Sequence, residues 1–281
     1  MTPTDLIYRN SLWDIYTQGD LLPSRNGWVQ SLITSQPLVF TATPLVTLRK
    51  TAWKLALREM EWFLSGDPKC PDELAHWWAG QLNEDGNYIA GYGMQLRDYG
   101  YRYFLTAQGW DQIAALIDGL RTHPNGRRHI TTTWNPVEMH RITGINSNPN
   151  TPTTCHGTTT QYFVRQGKLH ISTYQRSADV LLGVPHNWMQ YWAFLLWLAY
   201  HCGYEPGSLR WMFGDLHLYQ HPTHLAAAQQ IRDVDEPVSS YPHLRYVPKT
   251  EPQEIPVFYA GDFEMVGEIP EPVVKTRPVL L

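Results

Sequence analysis

Cys155-His156 closes the polar loop GINSNPNTPTT and stands just before a run of strand-forming residues. A cysteine becomes a nucleophile when nearby positive charge lowers its thiol pKa from about 8.5. Taken alone, the pair reads more often as a small buried apolar side chain with a neighbour. The stretch Tyr174 to Asn187, YQRSADVLLGVPHN, is more informative. Arg176 and Ser177 fall at a strand end, where a guanidinium fork and a hydroxyl can hold a phosphate. Asn187 can donate and accept side by side, which suits an imide edge such as uracil N3–H and O4. The plainer reading of the same residues is a solvated ion pair and a cap on the apolar helix that follows.

Three further groups invite chemistry. Glu59 lies among Leu57, Met60, Trp62 and Phe63, and a carboxylate on the apolar side of a helix has a raised pKa suited to proton transfer. If Arg58, Glu59 and Glu61 instead form the wet face, Glu59 is ordinary. Arg127-Arg128 follow an Asn-Gly turn and precede a strand, which usually marks a solvated edge. In Gly214-Asp-Leu-His-Leu-Tyr219, His217 and Tyr219 share one face of a strand by period two, placed to grip a sugar hydroxyl or to pair with each other.

The elements that must position these groups follow from pattern. Thr4–Thr17, Arg49–Leu64 and Leu105–Thr122 read as helices, the second stopped by SGDP and the third by HPNG. Arg25 falls in the polar turn LLPSRNGWVQ, and Leu32–Val46 holds short β-favourable runs broken by Pro37 and Pro44. His129–Trp134 reads as a strand, and Gln161–Tyr174 as a hairpin about Gln166-Gly167. The apolar run Trp188–Cys202 is shorter than the ~20 residues of a membrane span and reads as a buried helix. A short strand Leu209–Tyr219 and a helix near Thr223–Ile231 follow, then a proline-rich, extended last fifty residues. No composition shift divides the chain, so 1–281 is expected to be a single α+β domain.

Composition narrows the classes. Aromatics reach 13% and charged residues only 17%, which excludes a disordered chain. A net charge of −4 argues against a nucleic-acid binder working through a basic field, so a bound nucleotide must be held by local arginines. Cys70, Cys155 and Cys202 are too scattered for a disulfide framework or a zinc site, and no HExxH pattern places a metal. The N-terminus has no signal-peptide pattern, and the expected location is the cytoplasm of a bacterial or phage-infected cell.

Together these segments resemble the thymidylate synthase family. The match is carried by Arg127-Arg128 with Trp134-Asn135, then Cys155-His156, YQRSADVLLGVPHN and GDLHLY, in the family's order and near its spacing. It begins at Arg25, runs through PLVTLRK, EWFLSGD and YGMQLR, and ends in DFEMVGEIPEPVVKTRPVLL, so it spans nearly the whole chain. The resemblance implies a mixed β-sheet packed with helices and a sheet-to-sheet homodimer. It implies that Cys155 attacks carbon 6 of dUMP, so that carbon 5 takes a one-carbon unit from the co-substrate 5,10-methylenetetrahydrofolate, with no metal. Arg25, Arg176 and Ser177 would hold the phosphate, with Arg127 and Arg128 donated by the partner subunit. Gln175 and Asn187 would meet the base, and His217 with Tyr219 the deoxyribose. Glu59, Tyr92 and His156 would move protons. Trp77, Trp78, Asp179, Gly183, His186 and Leu280 would face the folate, the C-terminal PVLL closing over it. Neither a membrane nor a nucleic acid is called for.

Several positions depart from the family pattern. NGWVQ follows Arg25 where a Thr-Gly repeat is usual, and Thr154 replaces a proline before the cysteine. On the folate side a usual histidine is Ala52, a phenylalanine is His186 and a second tryptophan is Gln81. The nucleotide-activating set is intact. The resemblance therefore implies formation of the one-carbon adduct and leaves open its fate. Hydride gives a methyl group, whereas water gives the hydroxymethyl product of the related nucleotide hydroxymethylases, and the retained Trp78 and C-terminus favour hydride. Asn187 favours dUMP over dCMP, where the cytosine-specific relatives carry aspartate. A catalytically inactive nucleotide- or RNA-binding homologue is the reading of a different class. A cysteine hydrolase lacks a visible residue to orient its histidine.

Overall fold

The run Val184–Cys202 contains no charged side chain, so a helix made from it must be buried on nearly every face. In the computed structural model, which describes residues 1–24, 26–88, 91–100, 109–136, 157–234, 241–249 and 254–274, that helix is the central pillar. The elements in chain order are α1 (Pro3–Gln18), β1 (Asp20–Ser24), β2 (Gly27–Leu32), β3 (Leu38–Phe40), α2 (Trp53–Ser65), α3 (Ala75–Trp78) and α4 (Tyr92–Arg97). They continue with α5 (Gln112–Thr122), β4 (Ile130–Thr132), β5 (Thr158–Arg165), β6 (Lys168–Asp179), α6 (Val184–Cys202), β7 (Glu205–Tyr219), α7 (Pro222–Arg232), β8 (His243–Tyr246) and β9 (Phe263–Val266).

Seven strands form one sheet in the order β1-β2-β7-β6-β5-β4, with β3 also pairing β7. All its pairings are antiparallel except β6 with β7, which α6 joins as a crossover. The fold is therefore α+β with a mixed sheet, as the resemblance implies. Trp188 and Trp197 of α6 and Trp211 of β7 are fully buried, with Tyr8, Leu12 and Ile15 of α1 in the same core. Alternation leaves the opposite sheet face bare: Tyr174 pairs with Met212, Val39 with Arg210 and Ile130 with Gln161, and the apolar members of these pairs are exposed.

Local chemistry sets the element ends. Thr2 and Asp5 form a capping box on α1, and Asp5 also accepts from the Thr47 amide and hydroxyl, both at 2.7 Å. This ties the start of the chain to the segment leading into Arg49. Gln166 and Gly167 both have positive φ, and the tight β5–β6 turn they make is the hairpin expected there.

Other boundaries differ from the sequence reading. The helix expected from Leu105 begins at Gln112, because Asp111 accepts from the Ile113 and Ala114 amides and fixes the N-cap, while 101–108 lie outside the described residues. The helix expected from Arg49 begins at Trp53. The strand ending at Tyr219 is 15 residues long, the longest in the sheet, because it is paired on both sides. LLPS and GWVQ are strands of an antiparallel pair rather than a polar turn, and Arg25 itself lies outside the described residues. Of the Leu32–Val46 run, Leu32 ends β2 and Leu38–Phe40 form β3. The last fifty residues include a short antiparallel pair, β8 with β9.

Candidate active site

A cavity of about 1270 Å³ opens between the ends of β6 and β7 and helices α2, α3, α4 and α6. Helical spacing puts Leu55, Glu59 and Phe63 on the cavity face of α2, four residues apart, so Glu59 is on the apolar side and not the wet one. The same spacing brings His186, Asn187, Gln190 and Tyr191 to one face of α6. Period two brings Asp215, His217 and Tyr219 in from β7.

Glu59 is 8% exposed, and both its oxygens accept hydrogen bonds: Oε1 from the Trp78 indole N–H at 2.6 Å, Oε2 from the Gln190 amide. Burial outweighs these two bonds and pushes the carboxyl up to about 7, where it is poised to take or give a proton near neutrality. Trp78 is a buried wall as well as a donor, in edge or tilted contact with Trp62, Phe63, Tyr88 and Tyr92. The Tyr92 ring stacks on Phe63 at 4.4 Å. An aromatic box therefore surrounds this buried carboxylate, which explains its desolvation.

On the opposite side Arg176 faces the cavity from β6, its guanidinium 5.1 Å over the Trp134 ring. Its backbone amide bonds the carbonyl of Gly157, the first described residue after Cys155-His156. Gly157 has φ +61, and a Cβ there would meet Trp134 at 2.5 Å, so both conformation and packing demand glycine. Next to it, Thr158 lines the cavity and bonds the Tyr191 hydroxyl. Gln175 is buried and accepts from the Trp211 indole.

Asp215 accepts from Ser31 at 3.0 Å and from His217 Nδ1 at 3.2 Å. The His217 bond is the main reason its carboxyl is held below the usual range. This contact turns Nε2 of His217 away from Asp215, and the His217 ring meets Tyr219 edge-on. Asp179 Oδ1 accepts from the Leu181 and Leu182 amides, shaping the turn that launches α6. The N-cap of α6 is Gly183, so Asn187 lies inside the first turns and is not the cap.

The third wall is apolar with a polar brace. Trp77 packs on His186 with ring centroids 5.0 Å apart, and Leu55, Leu182, Pro272 and Val274 complete the surface. His186 Nδ1 donates to the Leu182 carbonyl, and Nε2 accepts from the Ala52 amide at 3.2 Å. Burial, helped by the charge of Arg49, lowers this imidazole to about 4, so it is neutral with both nitrogens used. An aromatic-lined slot of this kind suits a flat heterocycle. Gln81 also lines the cavity.

The structure thus brings Glu59, Trp77, Trp78, Tyr92, Gln175, Arg176, Ser177, Asp179, Gly183, His186, Asn187, His217 and Tyr219 to one cavity. Cys155, His156, Arg25 and Leu280 lie outside the described residues. Arg127 and Arg128 do not line the cavity. They are exposed beside β4, where the Arg127 carbonyl accepts from Gln161 on the bare sheet face. Sequence reasoning missed Gln190, Arg49 and Lys50. Arg49 Nη1 is buried at the cavity wall with no hydrogen-bond partner among the described residues, and the adjacent bases in TLRK were the available signal. Among the described residues no helix is long and apolar enough to cross a membrane.

The family model for thymidylate synthase matches residues 6–280. A bifunctional dihydrofolate reductase-thymidylate synthase of Arabidopsis thaliana is 28% identical over 297 residues, covering 97% of this chain and 54% of that protein. The protein of the same description from Glycine max is 30% identical over 255 residues, covering 83% of this chain and 45% of its own length. The chain therefore spans about half the length of the relatives it matches.

Proposed function

Because the chain belongs to the thymidylate synthase family, we propose that it transfers the one-carbon unit of 5,10-methylenetetrahydrofolate to carbon 5 of dUMP, giving dTMP. The observation that carries the reading is the single cavity joining a buried, proton-accepting carboxyl, an amide on α6 and an arginine on β6. In this proposal the Cys155 thiolate adds to carbon 6 of the base, and the electron pair released to carbon 5 attacks the one-carbon unit. Covalent addition divides one difficult substitution into feasible steps. Arg176, Ser177 and Arg25 hold the phosphate, Asn187 and Gln175 meet the base, and His217 and Tyr219 meet the sugar. Glu59, with Tyr92 and His156, carries the proton lost from carbon 5. Trp77, Trp78, Asp179, Gly183 and His186 form the folate wall, with Leu280 closing over it. The bare sheet face, with exposed Tyr174, Met212, Val39 and Ile130, is the surface for a homodimer that would present Arg127 and Arg128 to the partner's phosphate site.

Reductive methylation is preferred because both His186 nitrogens are bonded within the protein. The ring then offers the folate wall a satisfied surface and not a water site. Gln81 in the same wall supports the second reading, a dUMP hydroxymethylase in which water completes the reaction. The test is to incubate the protein with dUMP and methylenetetrahydrofolate, weigh the nucleotide and identify the folate. Thymidylate with dihydrofolate is expected. Hydroxymethyl-dUMP with tetrahydrofolate would replace methylation by hydroxymethylation, and dUMP binding with neither product would indicate an inactive homologue.

A further inference from the structure

We propose that Gln190 is a positioning residue that serves the Glu59 carboxyl in both of its protonation states, its side-chain amide turning over when a proton arrives at Oε2. The inference rests on the reading of Glu59 as the proton carrier, but its geometry stands apart from any reaction. The Trp78 indole N–H is a donor with no acceptor capacity, and it lies 2.6 Å from Oε1. Oε1 must therefore remain an acceptor whether Glu59 is ionised or neutral. A proton taken up by the carboxyl goes to Oε2, the oxygen that faces Gln190.

Gln190 is fitted to follow that proton. In the ionised state its Nε2 donates to Oε2. Once Oε2 carries hydrogen, two donors would oppose each other in a buried site, which is costly. Rotation about the last side-chain bond of Gln190 exchanges Nε2 for Oε1, and the new O–H then donates to an amide oxygen. That torsion is soft and roughly two-fold, so neither backbone nor helix need move. One proton enters, one N–H···O contact is lost and one O–H···O contact is gained. Gln190 lies one helical turn beyond Asn187 on the cavity face of α6, so the state of Glu59 is written into a side chain beside the base-reading amide.

The neighbouring groups leave this pair to itself. Arg58 on α2 is engaged with Glu61 and Glu73. The Cys70 thiol is pushed up to about 11, first by burial and then by the Glu59 charge, and remains neutral through the range in question. Tyr92 on α4 and Tyr191 on α6 line the same cavity.

The test is a pH titration of the ligand-free protein by amide-detected NMR, with the Gln190 side-chain signals assigned by their loss in Q190M. The Gln190 amide protons are expected to shift with one midpoint near neutrality, and to stop titrating in E59Q. Infrared titration of the Glu59 carboxylic-acid band, assigned by its loss in E59Q, should give the same midpoint. In Q190M that midpoint should move up by about one unit, a tenfold gain in proton affinity, because a bond to the ionised form is gone. With dUMP as substrate, Q190M should lose about tenfold in kcat with KM held within about twofold. A Gln190 signal that ignores pH, or a Glu59 midpoint unmoved in Q190M, overturns the proposal. A wild-type protein that turns over no dUMP refutes the functional reading and leaves the titration result to judge Gln190.

Discussion

Two buried groups in this cavity pull stability in opposite directions with pH, and separating them is a direct test of the site's electrostatics. Glu59 is raised from 4.5 to about 7, and His186 is lowered from 6.5 to about 4. At about 1.4 kcal/mol per unit, each shift is worth about 3 kcal/mol. Folding takes up a proton at Glu59, so that group's contribution is fully present below pH 4.5 and lost as pH rises through about 7. Folding sheds a proton at His186, so its contribution is fully present above pH 6.5 and lost as pH falls through about 4. Between those limits the two slopes oppose each other in the wild-type protein.

Glu59→Gln removes one slope while keeping a neutral side chain of the same shape. Its oxygen can accept from Trp78, and its amide nitrogen can donate to a turned Gln190. The stability difference between Glu59→Gln and wild type should grow by about 3 kcal/mol in favour of the variant from pH 4.5 to pH 8. Urea unfolding at fixed protein concentration across that range reads it out, with concentration fixed because any dimer would contribute by mass action. A difference that stays constant within about 0.5 kcal/mol across the range refutes the reasoning, since a group with the same proton affinity folded and unfolded gives no slope.

His186→Phe should tilt the other way, its stability falling with rising pH relative to wild type, and should cost about 1–3 kcal/mol at pH 7 from the orphaned Ala52 amide; thermal unfolding against pH checks both. Arg176→Ala should raise KM for dUMP by about a hundredfold, as expected for a lost charge-assisted phosphate contact, and Arg176→Lys should recover only part of it. Steady-state kinetics with the folate saturating will show whether KM carries the effect. Asn187→Asp should move the ratio of kcat/KM toward dCMP over dUMP by at least about tenfold, because a carboxylate accepts from a 4-amino group and cannot donate to a 4-oxo group. Asp5→Asn removes a buried carboxylate that accepts from Thr2 and Thr47, and should lower stability by about 2 kcal/mol in a chemical denaturation assay.

The parts of this fold legible in the sequence are those governed by local chemistry. Gln166-Gly167 supplies the left-handed backbone its hairpin needs, and uncharged α6 could only be a buried helix. Helix starts were less legible. Asp111 caps α5, but the apolar residues before it continue the same periodicity and hide the boundary. At the site, period two on β7 correctly placed His217 and Tyr219 on one face. The environment of Glu59 was not legible, since nothing in the spacing of α2 says that an indole 19 residues on and an amide 131 residues on converge on its two oxygens. The same holds for His186. It looked like a polar intrusion in a folate wall, yet its Nε2 meets the Ala52 backbone 134 residues away and is fully used. Contacts of that separation depend on how helices pack, which no short pattern encodes.

The proposed chemistry turns on covalent activation of the nucleotide by Cys155. Rapid acid quench of the protein with dUMP and methylenetetrahydrofolate, followed by intact-mass and peptide analysis, tests it most directly. A protein species heavier by the nucleotide with its one-carbon unit and folate is expected. Its modification should map to the peptide holding Cys155, and it should be absent in Cys155→Ser. Turnover of dUMP that persists at an undiminished rate in Cys155→Ser, or an adduct mapped to Cys70 or Cys202, would contradict it.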